Sequence, residues 1–288
     1  MIQENGDLLI VYDHFESVCC HKVRIALAEK QIPHQIRHVS LEDGSHLKSG
    51  SELLRVNPKG VVPVICHRGR TLTESSILLE YLDDAFPEPV LMPADPYWRA
   101  RRRLWARWID EEMHVPHVAV ISFAVCYGAA FKQALGTQEA LEDYLSNIPD
   151  PKLRASHRAS FDQPLDSAEL RRALHAWAAF VRVMDQTLSE VPWLAGESFS
   201  LADIDVIPYI WRLNNLGLDM LWESYPRVGE WITRVTTRPS FPEAVSSRQP
   251  AEWIAMMRQT GDIALPQLRQ MLTEPPPEPV SPAASCSY

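Results

Sequence analysis

No apolar run in this chain approaches the roughly 20 residues that a membrane span needs, and Met1 to Asp7 is polar and acidic, unlike a secretory signal. A cytoplasmic protein with no membrane partner is expected. Positive charge is in deficit: 28 Lys and Arg stand against 37 Asp and Glu, a net charge of -9, which argues against nucleic acid or an anionic membrane surface as the main partner. Cysteine is sparse and odd in number, five in all with Cys19 and Cys20 adjacent. Such a set does not make a disulfide framework, so reduced thiols are expected. Cys66, Cys126 and Cys286 lack metal-ligand spacing, as does the isolated pair His114 and His117, and no metal is expected. No internal repeat is visible.

With 288 residues and 46% hydrophobic content, the chain has enough apolar material for two cores. Prolines 87, 89, 93 and 96 crowd a short stretch that cannot sustain a helix or a central strand. The expected division is therefore a domain over 1–86, a linker over 87–96, a second domain over 97–272, and a disordered Pro- and Ser/Ala-rich tail over 273–288.

The first domain alternates. Leu8 to Tyr12 is a compact apolar run, Asp13 to Ser17 a polar loop, Val18 to Lys30 helical in pattern, and Gln35 to Ser40 alternates as a strand. Asn57 to Ser76 then predicts strand Val61 to Cys66, a turn at Arg68-Gly69, strand Arg70 to Thr73, and a helix opening at Glu74-Ser75-Ser76. Strand-helix-strand followed by strand-strand-helix is the order of a thioredoxin-like α/β domain. Pro63 cannot donate to a sheet ladder, so it marks an edge or a break and is a candidate cis peptide presenting the Val62 backbone to a ligand. Ser17 falls at a helix start, where the helix dipole favours an anion; thioredoxin-like proteins carry a cysteine there. Hydroxyls and free N–H groups at Ser75 suit a carboxylate.

Beyond the linker the pattern is all-α. Tyr97 to Phe131 reads as one long helix, with Pro116 expected to kink or break it. Arginines 99, 101, 102, 103 and 107 read as a solvated face, or alternatively as a contact to Asp110–Glu112 of a second copy. Leu170, Leu174, Trp177, Val181, Met184 and Leu188 recur at helical spacing. Ser200 and Asp203 form a structural capping box; Trp222 to Thr237 and Pro250 to Thr273 add further helices. An apolar pocket is expected between the domains, with His14, Phe15, His117, Phe123 and Tyr127 as candidate lining and Tyr209, Trp211 and Trp253 behind them.

Ser17-Val18-Cys19-Cys20-His21-Lys22-Val23-Arg24, Asn57-Pro58-Lys59-Gly60-Val61-Val62-Pro63 and Thr73-Glu74-Ser75 together resemble the glutathione S-transferase N-terminal domain in its serine-type branch. The resemblance implies a thioredoxin-like N-terminal domain joined to an all-α C-terminal domain, with glutathione as co-substrate. It implies that Ser17 stabilises the glutathione thiolate, that Val62, ahead of Pro63, pairs with the cysteinyl backbone, and that Glu74 and Ser75 bind the γ-glutamyl end. His46 or Lys48 is placed for the glycine carboxylate. Cys19 is the alternative thiolate-handling residue, since some relatives form a mixed disulfide with a cysteine near this turn.

Pro93-Ala94-Asp95-Pro96 leading into a helix with Trp105, Trp108, Asp110 and Glu111, and the insert around Asn147-Ile148-Pro149-Asp150-Pro151, are similar to bacterial β-etherases that break lignin-derived aryl ethers. That likeness implies thiolate attack beside an aromatic ketone, release of a phenol and formation of a glutathione thioether. It also implies a dimer, homomeric or with a paralogue. The alternatives are another glutathione-dependent transferase, isomerase, dehalogenase or thioether lyase acting on small aromatics, or a non-enzymatic interaction module on the same fold.

Overall fold

The computed structural model describes residues 8–277. Met1–Asp7, Cys286 and the tail expected beyond residue 277 lie outside the described residues.

A four-stranded sheet in the order β2-β1-β3-β4 forms the first domain. Strands β1 (Leu9–Asp13) and β2 (His34–His38) run parallel, while β3 (Val64–His67) is antiparallel to β1 and β4 (Arg70–Leu72) antiparallel to β3. Strand β1 is buried throughout, and apolar up to Asp13, because both faces of the sheet are covered. Leu9 and Val11 face the main core with Ile65, and Ile10 and Tyr12 face a smaller cluster with Leu53 and Val64, as the period of two requires. Helices α1 (Val18–Glu29) and α3 (Ser75–Ala85) contribute to the main core, and the short α2 (Glu52–Val56) contributes Leu53 to the second cluster. Strand β3 starts at Val64, later than Val61, because Pro63 has no N–H for the ladder; the Val62–Pro63 peptide is cis.

The second domain begins with α4, a 40-residue helix over Pro96–Leu135. Asp95 caps it, accepting from Tyr97 N at 2.8 Å and Trp98 N at 3.3 Å. Pro116 does not break it. Ile109–Ala119 and Phe123–Tyr127 are π-helical, and the wider turn absorbs a residue with no N–H to give. By length and composition α4 is long and apolar enough to cross a membrane, with an 18-residue window of mean hydropathy 1.6, although no uninterrupted apolar run spans it. Its Trp105, Ile109, Met113, Val118, Ile121 and Val125 are nonetheless packed in the main core.

Residues 136–163, ambiguous in sequence, form α5 (Gln138–Ser146) and α6 (Pro151–Phe161). The remaining helices are α7 (Ala168–Leu188), α8 (Leu201–Asn215), α9 (Pro226–Thr236), α10 (Ser240–Ala244) and α11 (Ala251–Thr273). Asp203 completes the cap of α8, accepting from Ser200 N at 3.0 Å, and also takes Leu194 N and Trp231 Nε1.

The domains are clamped by buried charge. Lys22 of α1, wholly buried, donates to Ser76 Oγ at 3.1 Å and Asp110 Oδ1 at 3.0 Å and lies 3.4 Å from Asp205. Arg102, expected on a solvated face, is 1% exposed and instead pairs with Asp205 at 3.0 Å and Glu80 at 2.6 Å. A carboxylate buried at the domain boundary needs a cation, and α4 turns Arg102 inward to supply it. Arg103 and Arg107 find their partners, Glu80 and Glu111, within the same chain.

Candidate active site

The loop between β1 and α1 is held in place by two buried arginines. Arg24 donates to Asp13 Oδ2 at 2.7 Å, Phe15 O at 3.0 Å and Ala244 O at 2.7 Å. Arg212 of α8 donates to both the main chain and the carboxylate of Glu16, the latter at 3.1 Å. Glu16, 5% exposed, also accepts from Tyr127 Oη at 2.5 Å and Gln249 Nε2 at 2.6 Å. Burial works to raise its pKa, but the Arg212 charge, His21 and these hydrogen bonds outweigh it and leave the carboxyl below its ordinary value.

This rigid loop delivers Ser17 as the N-cap of α1. Its Oγ accepts from Cys20 N at 3.3 Å, which leaves the hydroxyl proton to donate elsewhere. One residue into the helix, Cys19 Sγ lies 3.9 Å from His114 Nε2 and 3.8 Å from Tyr209 Oη. Burial pushes the Cys19 thiol up; the His114 charge and hydrogen bond, the Lys22 ammonium and the Ser75 hydroxyl more than offset it and hold the thiol at about 6. Burial likewise disfavours the His114 imidazolium, yet the neighbouring Cys19 sulfur raises it above the ordinary histidine value. Each group thus favours the charged form of the other.

Both residues open onto a cavity of about 280 Å³ between the domains. His14, Ser17, Cys19, His46, Val62, Phe123 and Tyr127 stand on its wall. Phe15, Lys48, Pro63, Glu74, Ser75, His117 and Trp211 do not. Phe15 packs on His14 and Trp253, Lys48 is exposed, and Pro63 is buried. Ser75 is the first residue of α3, whose N-cap, Glu74, makes no side-chain capping bond; the uncapped N–H groups there suit a carboxylate. Glu74 pairs with Lys59 at 2.7 Å. His117 lies on α4 one turn beyond His114, and Trp211 is tied to Gln249 at 2.8 Å.

His114, in sequence only half of an isolated pair with His117, takes its role from Cys19, 95 positions away. Glu16, Arg212, Tyr144 and His157 escaped sequence reading because their partners likewise lie elsewhere in the chain, and no local pattern marks them. Among the described residues no group of three or more His, Cys, Asp or Glu gathers as a metal site.

A model of the glutathione S-transferase N-terminal domain matches residues 16–85, and one of the glutathione S-transferase C-terminal domain matches residues 149–239. Protein LigF of Sphingobium sp. strain SYK-6 is 32% identical over 199 residues, covering 66% of this chain and 75% of that protein. The chain belongs to the glutathione S-transferase family.

The crystal structure of β-etherase LigF, at 27% identity, superposes with a TM-score of 0.73 over 82% of this transferase and 98% of that chain. Maleylacetoacetate isomerase of Pseudomonas aeruginosa is 24% identical over 245 residues, 83% of this chain and 97% of that one. A stringent starvation protein A homolog of Haemophilus ducreyi is 23% identical over 243 residues, 84% and 92% of the two chains. Glutathione is the co-substrate of the family.

Proposed function

We propose that this transferase uses the glutathione thiolate to cleave β-aryl ethers of aromatic ketones, releasing a phenol and a glutathione thioether. The observation that supports it most is one cavity in which Ser17 and Cys19 share a wall with Phe123, Tyr127, Phe131, Tyr144 and Trp253. A sulfur held at the first pair faces an aromatic electrophile held by the others. The similarity to LigF adds weight.

In this reading glutathione lies along the edge from β3 to α3. Val62 offers its backbone to the cysteinyl unit ahead of Pro63, Glu74 and Ser75 meet the γ-glutamyl end, and, of the two candidates for the glycine carboxylate, the exposed Lys48 meets it while His46 stands on the cavity wall. A free thiol of pKa about 8.5 is mostly protonated at neutral pH. The Ser17 hydroxyl and the N-terminus of α1 favour its ionised form. The thiolate attacks the carbon beside the ketone, the carbon–oxygen bond to the aryl group breaks, and the phenolate leaves with that electron pair to take a proton from solvent.

Incubation of the purified protein with glutathione and a β-aryl ether ketone tests this reading. Equimolar phenol and glutathione thioether are expected; neither product would overturn it. Isomerase chemistry would instead rearrange an unsaturated substrate with no net loss of glutathione, and a non-enzymatic module would turn over nothing.

The Cys19–His114 pair favours a second reading of the sulfur chemistry, in which Cys19 itself engages glutathione as a mixed disulfide. Mass spectrometry after exposure to glutathione disulfide decides it: a glutathione adduct on Cys19 supports that reading, and an unmodified Cys19 leaves Ser17 as the group that handles the sulfur. We infer a cytoplasmic dimer, in keeping with the free thiols Cys19, Cys20, Cys66 and Cys126 and with the apolar Ile77, Tyr97 and Leu104 exposed on α3 and α4.

A further inference from the structure

One part of the cavity wall carries polar groups that the proposed sulfur chemistry does not use. Tyr144 of α5 and His157 of α6 stack with ring centroids 6.3 Å apart. Phe131 lies 6.4 Å from Tyr144, and Phe123 lies 6.1 Å from His157. His46, from the turn after β2, brings the first domain onto the same wall. Gly44 makes that approach feasible: a Cβ there would lie 2.8 Å from the Tyr144 ring, and its φ of +68° suits glycine.

Two nitrogens here are unspent. Nδ1 of His46 and Nδ1 of His157 are buried without a hydrogen-bond partner, and His46 as a whole is 8% exposed. Burial lowers the His46 pKa, and burial together with His46 holds His157 at about 4, while burial pushes Tyr144 up to about 12. All three are therefore uncharged at neutral pH. The charged groups on the same wall are already engaged, Glu42 with His14 at 2.7 Å and Arg212 with Glu16. A charged ring substituent would find no counter-ion here.

A neutral imidazole offers one donor and one acceptor, and so does a hydroxyl. An orphaned buried nitrogen carries a desolvation penalty that a ligand hydroxyl would relieve. Space is sufficient, since a cavity of about 150 Å³ holds benzene and this one is about 280 Å³.

We propose that the His46, Tyr144 and His157 part of the cavity is a recognition subsite for an uncharged aromatic ring bearing a hydroxyl group. The proposal rests on the reading that this cavity holds an aromatic substrate, and it names the feature of that substrate which is read.

Calorimetric titration of the glutathione-saturated protein with phenol and with toluene, which swaps the hydroxyl for a methyl of similar size, tests it without turnover. Phenol is expected to bind about tenfold more tightly than toluene, the worth of one recovered hydrogen bond. His157→Phe is expected to bring that ratio near one, and His46→Phe, in the other domain, to reduce it similarly; His157→Gln, which keeps a donor and an acceptor, retains part of it. Equal binding of the two probes to the unaltered protein, or an unchanged ratio in whichever Phe variant folds, overturns the subsite. The outcome is separable from ether cleavage, because a phenol preference without thioether formation sinks the proposed reaction and spares the subsite, whereas thioether formation without a phenol preference does the reverse.

Discussion

Cys19 Sγ lies 3.9 Å from His114 Nε2, a contact that joins the first turn of α1 to a π-helical stretch of α4 across 95 positions of chain. Cys19 is held at about 6 because the His114 charge, Lys22 and Ser75 overcome its burial. Alkylation by iodoacetamide, followed residue by residue with mass spectrometry, should then rise through a midpoint near pH 6 at Cys19. In His114→Gln the largest favourable influence is gone, and the midpoint should move up toward that of an ordinary thiol, about 8.5. A wild-type midpoint above pH 8 would refute that mutual stabilisation.

Replacing Ser17 by Ala removes two things at once. The N-cap acceptor for Cys20 N–H disappears, which costs about 1 kcal/mol of stability. On the proposed reading the donor to a bound glutathione sulfur disappears as well, and a thiol pKa higher by one unit corresponds to about 1.4 kcal/mol, or roughly tenfold in the ionised fraction at neutral pH. The alkaline rise of kcat/KM for thioether formation should therefore shift upward in pH, and Ser17→Thr, which keeps the hydroxyl, should restore most of it. An unshifted profile in Ser17→Ala assigns the sulfur to another group.

The Glu16 carboxylate is a separate, structural wager of the fold. Arg212→Met would leave it buried with Tyr127 and Gln249 alone, and an uncompensated buried charge costs about 3–5 kcal/mol. Tyr127→Phe removes one charge-assisted donor, about 2 kcal/mol. The sign with pH follows from the lowered carboxyl pKa, set by Arg212, His21, Tyr127 and Gln249 against burial. The stabilisation is present above the unfolded carboxylate value and is lost as pH falls through the lower folded value. Denaturant melts should show both variants weakened at pH 7 and the differences from wild type shrinking in acid. A constant difference down to pH 2 would mean that the effect is packing alone.

What was legible in the sequence was local. The β1-α1 turn with Ser17, the break at Pro63, the helix start at Ser75 and the Ser200–Asp203 cap each declare themselves within a few residues, because caps, turns and proline chemistry act over that range. Arg102 read as solvated because its neighbours in sequence are arginines; its partner Asp205 lies on another helix. Pro116 suggests a kink or a break because proline disrupts an α-helix, and no pattern announces a π-helical stretch. His114, His157 and Arg212 acquire meaning only from groups that the tertiary fold brings to them.

Gly261 links the helical packing to the cavity. A Cβ at this position of α11 would sit 1.8 Å from Leu216 O at the end of α8, closer than any real contact and against backbone that cannot swing away. Gly261→Ala must push α11 outward, and overpacking of this kind costs about 1–3 kcal/mol. The same helix carries Trp253, on the cavity wall 5.6 Å from Tyr127, and Met257, whose Sδ lies 3.8 Å from Tyr127 Oη. The substitution should thus lower the melting temperature and weaken aromatic ligand binding together. Gly229→Ala on α9 is the control, since nothing lies within 4 Å of its added Cβ and alanine favours the helix by nearly 1 kcal/mol. That variant should melt at or above the wild-type temperature with ligand binding unaltered. If Gly261→Ala loses stability but binds aromatic ligands as the wild type does, α11 is a packing element only and Trp253 does not shape the cavity.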